Sequence, residues 1–231
     1  MPVAIITGAS KGLGRALAEA LAGRGWDLVL DARGGAALAR AAGAIAVHGT
    51  RVEARTGDVT DAGHRADLVA AARALGGVDL LVSNASALGA EPLVRLAELP
   101  LDGLRRALEV NAVAALGLVQ EALPLLRASG AGTVIAVSSD AAAEPYGTWG
   151  GYGASKAALD QLAAVLGEEE PELRVWAVDP GDMATDLYAA AVPDDDGPRP
   201  APARVVPAFL WLLEKRPASG RYDAPSLLEG R

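Results

Sequence analysis

Short apolar runs alternate with longer stretches of helical periodicity along the whole chain. The runs at 3–7, 27–31, 52–56, 78–82, 132–138 and 173–178 are short and, for the most part, continuously hydrophobic. That pattern suits parallel strands buried on both faces, and a last short strand is expected near 220–223. Between them, apolar residues recur at helical spacing over 12–23, 34–42, 61–74, 101–127, 151–167 and 203–214. Residues 42–50 fit either an extension of the second helix or a separate turn. Strand and helix in strict alternation predict an α/β fold: a doubly wound parallel sheet of the Rossmann type, a three-layer αβα sandwich with right-handed crossovers. No linker or repeat divides the 231 residues, so one domain over 1–231 is expected. The segment Pro193 to Pro202 holds four prolines, one glycine and three consecutive aspartates, and reads as a loop with a solvated acidic tip.

Composition narrows the function classes. Apolar residues make up 51% of the chain and aromatics only 4%, so the core is built from Ala, Leu and Val. The net charge of −8, with no basic tract, argues against a nucleic-acid partner. With no cysteine, disulfides, thiolate catalysis and cysteine metal sites are excluded, and two histidines make no zinc set. His48 and His64 sit in polar contexts and read as surface residues. No G-x-S-x-G elbow supports a hydrolase. A strand starts almost at the N-terminus and no apolar run reaches the ~18 residues of a membrane span, so a cytoplasmic protein without a membrane partner is expected.

Two local patterns carry chemistry. The first is Thr7-Gly8-Ala9-Ser10-Lys11-Gly12-Leu13-Gly14, between the first strand and the first helix. Glycines let a backbone approach a pyrophosphate, and a helix N-terminus offers free N–H groups to it. The spacing is G-x-x-x-G-x-G, neither the G-x-G-x-x-G fingerprint nor a Walker A loop. The second is Tyr152-x-x-x-Lys156. Four residues make about one helical turn, which brings phenol and ammonium to one face. A close cation lowers a phenol's pKa from about 10 toward the useful range for proton transfer. Only three of the twenty-one basic residues are lysines, and two of those, Lys11 and Lys156, fall inside these patterns. A compact ammonium, unlike a planar guanidinium, can approach a phenol closely.

In order and spacing, these motifs together with Asp58-Val59, Asn84-Ala85, Asn111, Ser138-Ser139 and Pro180-Gly181-x-x-x-Thr185 resemble the short-chain dehydrogenases/reductases in their short single-domain form. The resemblance implies an oxidoreductase that interconverts a carbonyl compound and an alcohol with a nicotinamide cofactor. Tyr152 would be the acid/base, Ser139 would hold the substrate oxygen, Lys156 would bind the ribose and lower the tyrosine pKa, and Asn111 would hold a water linking Lys156 to solvent. Gly8, Ser10, Lys11, Gly12, Leu13, Gly14, Arg33, Asp58, Val59, Asn84, Ala85, Pro180, Gly181, Met183 and Thr185 would contact the cofactor with Tyr152 and Lys156. Residues 182–202 would be a mobile lid. Ser86 departs from the pattern, standing where the family carries glycine after Asn-Asn-Ala, and the C-terminus is short.

Asp31 tempts an NAD reading. On the family pattern, however, the acid of NAD-users falls at Ala32 and the arginine of NADP-users at Arg33, so NADP(H) is preferred and NAD(H) is possible. The resemblance also implies that helices 101–127 and 151–167, rich in small residues such as Ala112, Gly117, Ala157 and Ala164, pair across a two-fold axis as a homodimer or homotetramer. A catalytically idle NADP(H)-binding sensor on the same fold is the alternative reading.

Overall fold

The computed structural model describes residues 1–229. Seven strands form one sheet: β1 Val3–Ile6, β2 Asp27–Ala32, β3 Val52–Thr56, β4 Leu80–Ser83, β5 Thr133–Val137, β6 Arg174–Asp179 and β7 Gly220–Asp223. The order is β3-β2-β1-β4-β5-β6-β7 and every pairing is parallel.

Alternation of side chains sorts the strand residues onto two cores. Ala4, Ile6, Leu28, Leu30, Val82, Ile135 and Val178 face one side, against Leu13, Leu17 and Leu21 of α1 (Gly12–Ala22) and Phe209 and Leu212 of a late helix, Val206–Lys215. Val3, Ile5, Val29, Leu81, Val134, Ala136 and Ala177 face the other, against Leu68 and Ala72 of Ala62–Leu75, Leu118 and Ala122 of Ala114–Ala128, and Leu159 of Gly150–Glu169. Both faces are dry, which is why these strands read as unbroken apolar runs.

In chain order the remaining helices are α2 Gly35–Ile45, α3 Ala62–Leu75, α4 Leu101–Leu108, α5 Ala114–Ala128, α6 Gly150–Glu169, α7 Asp186–Ala191, α8 Val206–Lys215 and α9 Ala224–Glu229. Residues 42–50 resolve into the end of α2, a short 3-10 turn at Ala46–His48, and a left-handed Gly49 at φ 78°. The helix expected at 101–127 is interrupted: a π turn at Glu109–Val113 joins α4 to α5. By length and composition the composite Leu101–Ala128 is apolar enough to cross a membrane, contrary to the sequence expectation, but here α5 lies on the sheet. Inside the expected lid, α7 forms because the Thr185 hydroxyl accepts the Tyr188 N–H at 3.2 Å and caps it.

β1 pairs with both β2 and β4, and the chain runs outward from there in opposite directions. Such a switch point leaves a crevice beyond the carboxyl ends of the strands. Here it opens into a cleft of about 880 Å³.

Candidate active site

The turn after β1 is anchored to the end of β4. The Thr7 hydroxyl accepts the N–H groups of Asn84 and Ala85, each at 2.9 Å, and Asn84 Nδ2 donates to the Thr7 carbonyl at 2.8 Å. Gly8 adopts φ +65°, and a Cβ there would lie 3.0 Å from the Ala85 Cα. At Gly14 a Cβ would come within 2.6 Å of Asn84 Nδ2 and 2.7 Å of the Gly8 carbonyl, so only glycine lets α1 start this close to the turn. Helix α1 has no side-chain cap and no acid in its first turn. Its N–H groups and dipole therefore face the cleft free for an anion, which fits a pyrophosphate. All the cofactor residues named from the sequence line this cleft except Gly14, which lies beneath its floor.

At the far end of the turn, Asp31 is 2% exposed and its carboxylate is committed inward. Its Oδ1 lies 2.6 Å from His64 Nε2, and Oδ2 makes a long 3.5 Å contact with the Gly8 N–H. Burial pushes the Asp31 carboxyl up, against the opposing pull of the His64 hydrogen bond. His64, expected on the surface, is thus a buried partner of Asp31, its ring stacked where a Gly57 Cβ would stand. Arg33 is exposed at the cleft margin. Lys11, expected among the cofactor contacts, lines the cleft and pairs with Asp186 of α7 at 2.6 Å. Asp58 accepts from Thr60 and, at 2.7 Å, from Arg106 of α4. Burial opposes its ionisation, but the Thr60 N–H and Arg106 outweigh that and hold the carboxyl at about 2. Arg106 lines the cleft and was missed in the sequence, where nothing but helical periodicity marks it.

At the other end, Tyr152 and Lys156 rise from the first turns of α6, 6% and 2% exposed. Lys156 Nζ lies 5.5 Å from the centre of the Tyr152 ring and donates to the Val137 carbonyl at 2.7 Å. Ser139, at the end of β5, and Ser86, in the loop after β4, line the cleft together with Tyr152. Trp149 meets the Tyr152 ring edge-on at 5.6 Å and Tyr188 of α7 at 6.3 Å. The cleft thus has a glycine turn and an uncapped helix start at one end, and a buried phenol and ammonium beside a serine at the other.

A profile of the family described as short chain dehydrogenase matches residues 2–196. The chain belongs to the short-chain dehydrogenase/reductase family. It is an oxidoreductase of that family, and its parallel sheet is the Rossmann fold of its structural neighbours. An uncharacterized oxidoreductase of Saccharomyces cerevisiae is 33% identical over 215 residues, covering 92% of this chain and 82% of the yeast protein. A short-chain dehydrogenase of Escherichia coli crystallised with NADPH superposes with a TM-score of 0.89 at 29% identity, over 96% of each chain. An alcohol dehydrogenase of Thermococcus sibiricus, complexed with 5-hydroxy-NADP, gives 0.87 at 28% identity, over 96% of this chain and 95% of that one.

Against the family expectation, three features of this dehydrogenase/reductase site differ in the resting structure. Burial pushes the Tyr152 phenol well up, and the charges of Asp179 and Asp140 add to it, while Ser86 and Ser139 pull the other way. Lys156 does not set that value: burial lowers the ammonium itself from 10.5 to about 8, with Asp160 of α6 opposing. Asn111 is not free to hold a water through its side chain. Its Nδ2 donates to Ser155 Oγ at 2.7 Å and to the Ala87 carbonyl at 2.9 Å, and its Oδ1 accepts from the Ala87 N–H at 2.8 Å and Ser86 Oγ at 3.2 Å. The π turn bulges the helix at this residue. The acidic run is exposed as expected, but Asp195 within it is paired. Arg199 bonds Asp195 Oδ2 at 2.5 Å and the Tyr188 hydroxyl at 2.6 Å, and lies 4.0 Å over the Tyr188 ring.

Proposed function

We propose that this protein is an NADP(H)-dependent oxidoreductase that interconverts a carbonyl compound and an alcohol, with Tyr152 as the acid/base. The observation that carries the reading is the buried Tyr152 phenol at the end of the cleft, with Ser139 in the same lining and Lys156 one turn below, its ammonium 5.5 Å from the ring centre. The bound nicotinamide would supply the hydride. The uncapped start of α1 and the turn Gly8 to Gly14 would hold its pyrophosphate, and the exposed Arg33 a ribose phosphate. Asp31, turned toward His64, is poorly placed to accept from a ribose hydroxyl, which favours NADP(H) over NAD(H). The NADP-type ligands of two structural neighbours support the same choice.

In the reductive direction Tyr152 gives its proton to the substrate oxygen, and in the oxidative direction it takes that proton back. Ser139 now donates to Asp140 Oδ1 at 2.9 Å and would turn that proton to the substrate oxygen. Lys156, held at about 8 by burial, would meet the nicotinamide ribose and steady the phenolate. Trp149, Tyr188 and Leu187 would wall the substrate end, with residues 182–202 as its lid. The reading also includes assembly as a homo-oligomer through α5 and α6, supported by Val113, in the π turn just before α5, and Val165 of α6, which are 54% and 41% exposed.

The test is Tyr152→Phe, assayed by NADPH consumption with a panel of ketones, aldehydes and quinones. Turnover should fall by about 100-fold or more, the usual weight of a general acid, with NADPH affinity within twofold. A variant that keeps a tenth of the activity would sink the acid/base assignment.

A further inference from the structure

The adenosine end of the cleft holds a buried contact that the proposed chemistry does not use. Asp31 shares with Val29 the side of β2 that faces α3, while Leu30 and Ala32 face the other core. On that side its Oδ1 lies 2.6 Å from Nε2 of His64, in the first turn of α3, and the two side chains are 2% and 9% exposed. The ring has its place because residue 57 is a glycine. A Cβ on Gly57 would stand 2.2 Å from His64 Nδ1 and 2.5 Å from the ring carbons Cγ and Cε1. Gly57 and His64 fit each other, and the fit puts Nε2 on Asp31.

The acid stands where a dinucleotide fold reads its ribose. It follows Gly8, the first glycine of the phosphate turn, by 23 positions, at the end of the second strand. An acid at such a place accepts from an adenosine ribose hydroxyl. Asp31 comes one position before the family's acid, yet its Oδ2 reaches the turn, 3.5 Å from the Gly8 N–H, and its carbonyl accepts the Ala9 N–H at 2.8 Å. Distance does not keep this carboxylate from the cleft; its partner does. Turning outward would forfeit the short bond to His64, and losing a hydrogen bond to a charged group weighs roughly tenfold or more in an equilibrium.

We propose that His64 is a positioning residue that sets the cofactor preference: seated against Gly57, it holds the Asp31 carboxylate away from the ribose and leaves that end of the cleft to Arg33. The inference rests on the reading of the cleft as an NADP(H) site. Arg33, two residues on and exposed at the margin, then meets a ribose phosphate with no competing carboxylate beside it. Released from His64, Asp31 would act on both cofactors in opposite senses. It would accept from the free ribose hydroxyl of NADH and repel the ribose phosphate of NADPH.

The experiment titrates NADPH and NADH, by their own fluorescence, into the unmutated protein, His64→Ala, Gly57→Ala, Asp31→Asn and the double variant His64→Ala/Asp31→Asn. In His64→Ala, and in Gly57→Ala, whose methyl drives the ring off Asp31, the ratio of NADPH to NADH affinity should fall by about tenfold or more. Asp31→Asn, whose amide can keep a bond to His64, should leave both affinities within about twofold. In the double variant the fall should vanish, since no carboxylate remains to be released. A ratio unchanged in both His64→Ala and Gly57→Ala overturns the proposal. So does a fall that persists in the double variant, which would make His64 a structural support only. A tenfold loss of NADH affinity in Asp31→Asn overturns it as well, because Asp31 would then already serve the ribose. Should His64→Ala fail to fold, as a buried carboxylate left unpaired could cause, Gly57→Ala reads the ratio and Asp31→Asn still decides whether the acid meets the ribose. Tighter binding of NADH than of NADPH by the unmutated protein would overturn the cofactor reading instead, while the shift on mutation still decides the role of His64.

Discussion

Lys156→Met should make the protein more stable at pH 7 while removing its proposed activity. The ammonium is 2% exposed, and burial lowers its pKa from 10.5 to about 8. At ~1.4 kcal/mol per unit, keeping it charged and buried costs on the order of 3 kcal/mol of folding free energy. Methionine removes that cost but also the donor to the Val137 carbonyl, worth about 1–2 kcal/mol, and the contact with the Tyr152 ring, worth about 0.5–1 kcal/mol. The net gain near neutrality is about 1 kcal/mol.

Its pH dependence is the sharper quantity. Below about 8 the lysine is protonated in both states and the cost is fully present; between 8 and 10.5 the unfolded chain binds the extra proton, so the unmutated protein gains stability as pH rises. Above 10.5 both states are neutral and methionine is the poorer residue. Urea unfolding of both proteins between pH 7 and pH 10.5 should therefore show a difference that swings by about 3 kcal/mol and changes sign on the way. A variant that is less stable at pH 7, or a difference flat across that range, would refute the reasoning.

Three further outcomes follow from the same geometry. Arg33→Ala should weaken NADPH binding by roughly 1.5–3 kcal/mol and leave NADH nearly untouched, as titration calorimetry would show; tighter NADH than NADPH binding by the unmutated protein would reject the cofactor choice. Gly14→Ala forces a methyl to within 2.7 Å of the Gly8 carbonyl, so NADPH affinity should drop at least tenfold while urea unfolding shows a loss of about 1–3 kcal/mol. Light scattering at micromolar protein should give the mass of two or four chains, and a clean monomer would return α5 and α6 to ordinary surface.

The strands and long helices were legible because burial on both faces leaves a signature that needs no partner to be read. Apolar β1, β2, β4, β5 and β6 fall within a residue or two of their expected bounds. The pairing of Tyr152 with Lys156 was legible through residue type and spacing, since the two share a helix face whatever surrounds them. What lay hidden depends on contacts between distant segments. The short α7 sat among prolines and aspartates, with only Thr185 as a cap signal. His64 is polar by type, and its burial is decided by Asp31, thirty-three positions away. The pairing of Lys11 with Asp186 joins segments 175 positions apart, which no local pattern announces. The phenol's pKa was misjudged because burial, a property of the whole cleft, outweighs the one neighbour the motif supplies.

The π turn at Glu109–Val113 carries one residue more than an α-helix needs for the same rise. A π turn winds more loosely than an α turn, so the surplus residue is taken up within it and α4 and α5 keep nearly the phase of one continuous helix. In the present phase Ala107 is buried, Arg106 reaches Asp58, Asn111 reaches Ser155 and Leu118 meets the sheet. Deleting one residue here would let the segment relax into regular helix with α4 and α5 still on their present faces. What would go is the bulge itself, and with it the placement of the Asn111 amide against Ser155 and the Ala87 carbonyl. The surplus residue is thus spent on one side chain rather than on the helix, and lineages of this chain that lose it should also change Asn111 or Ser155.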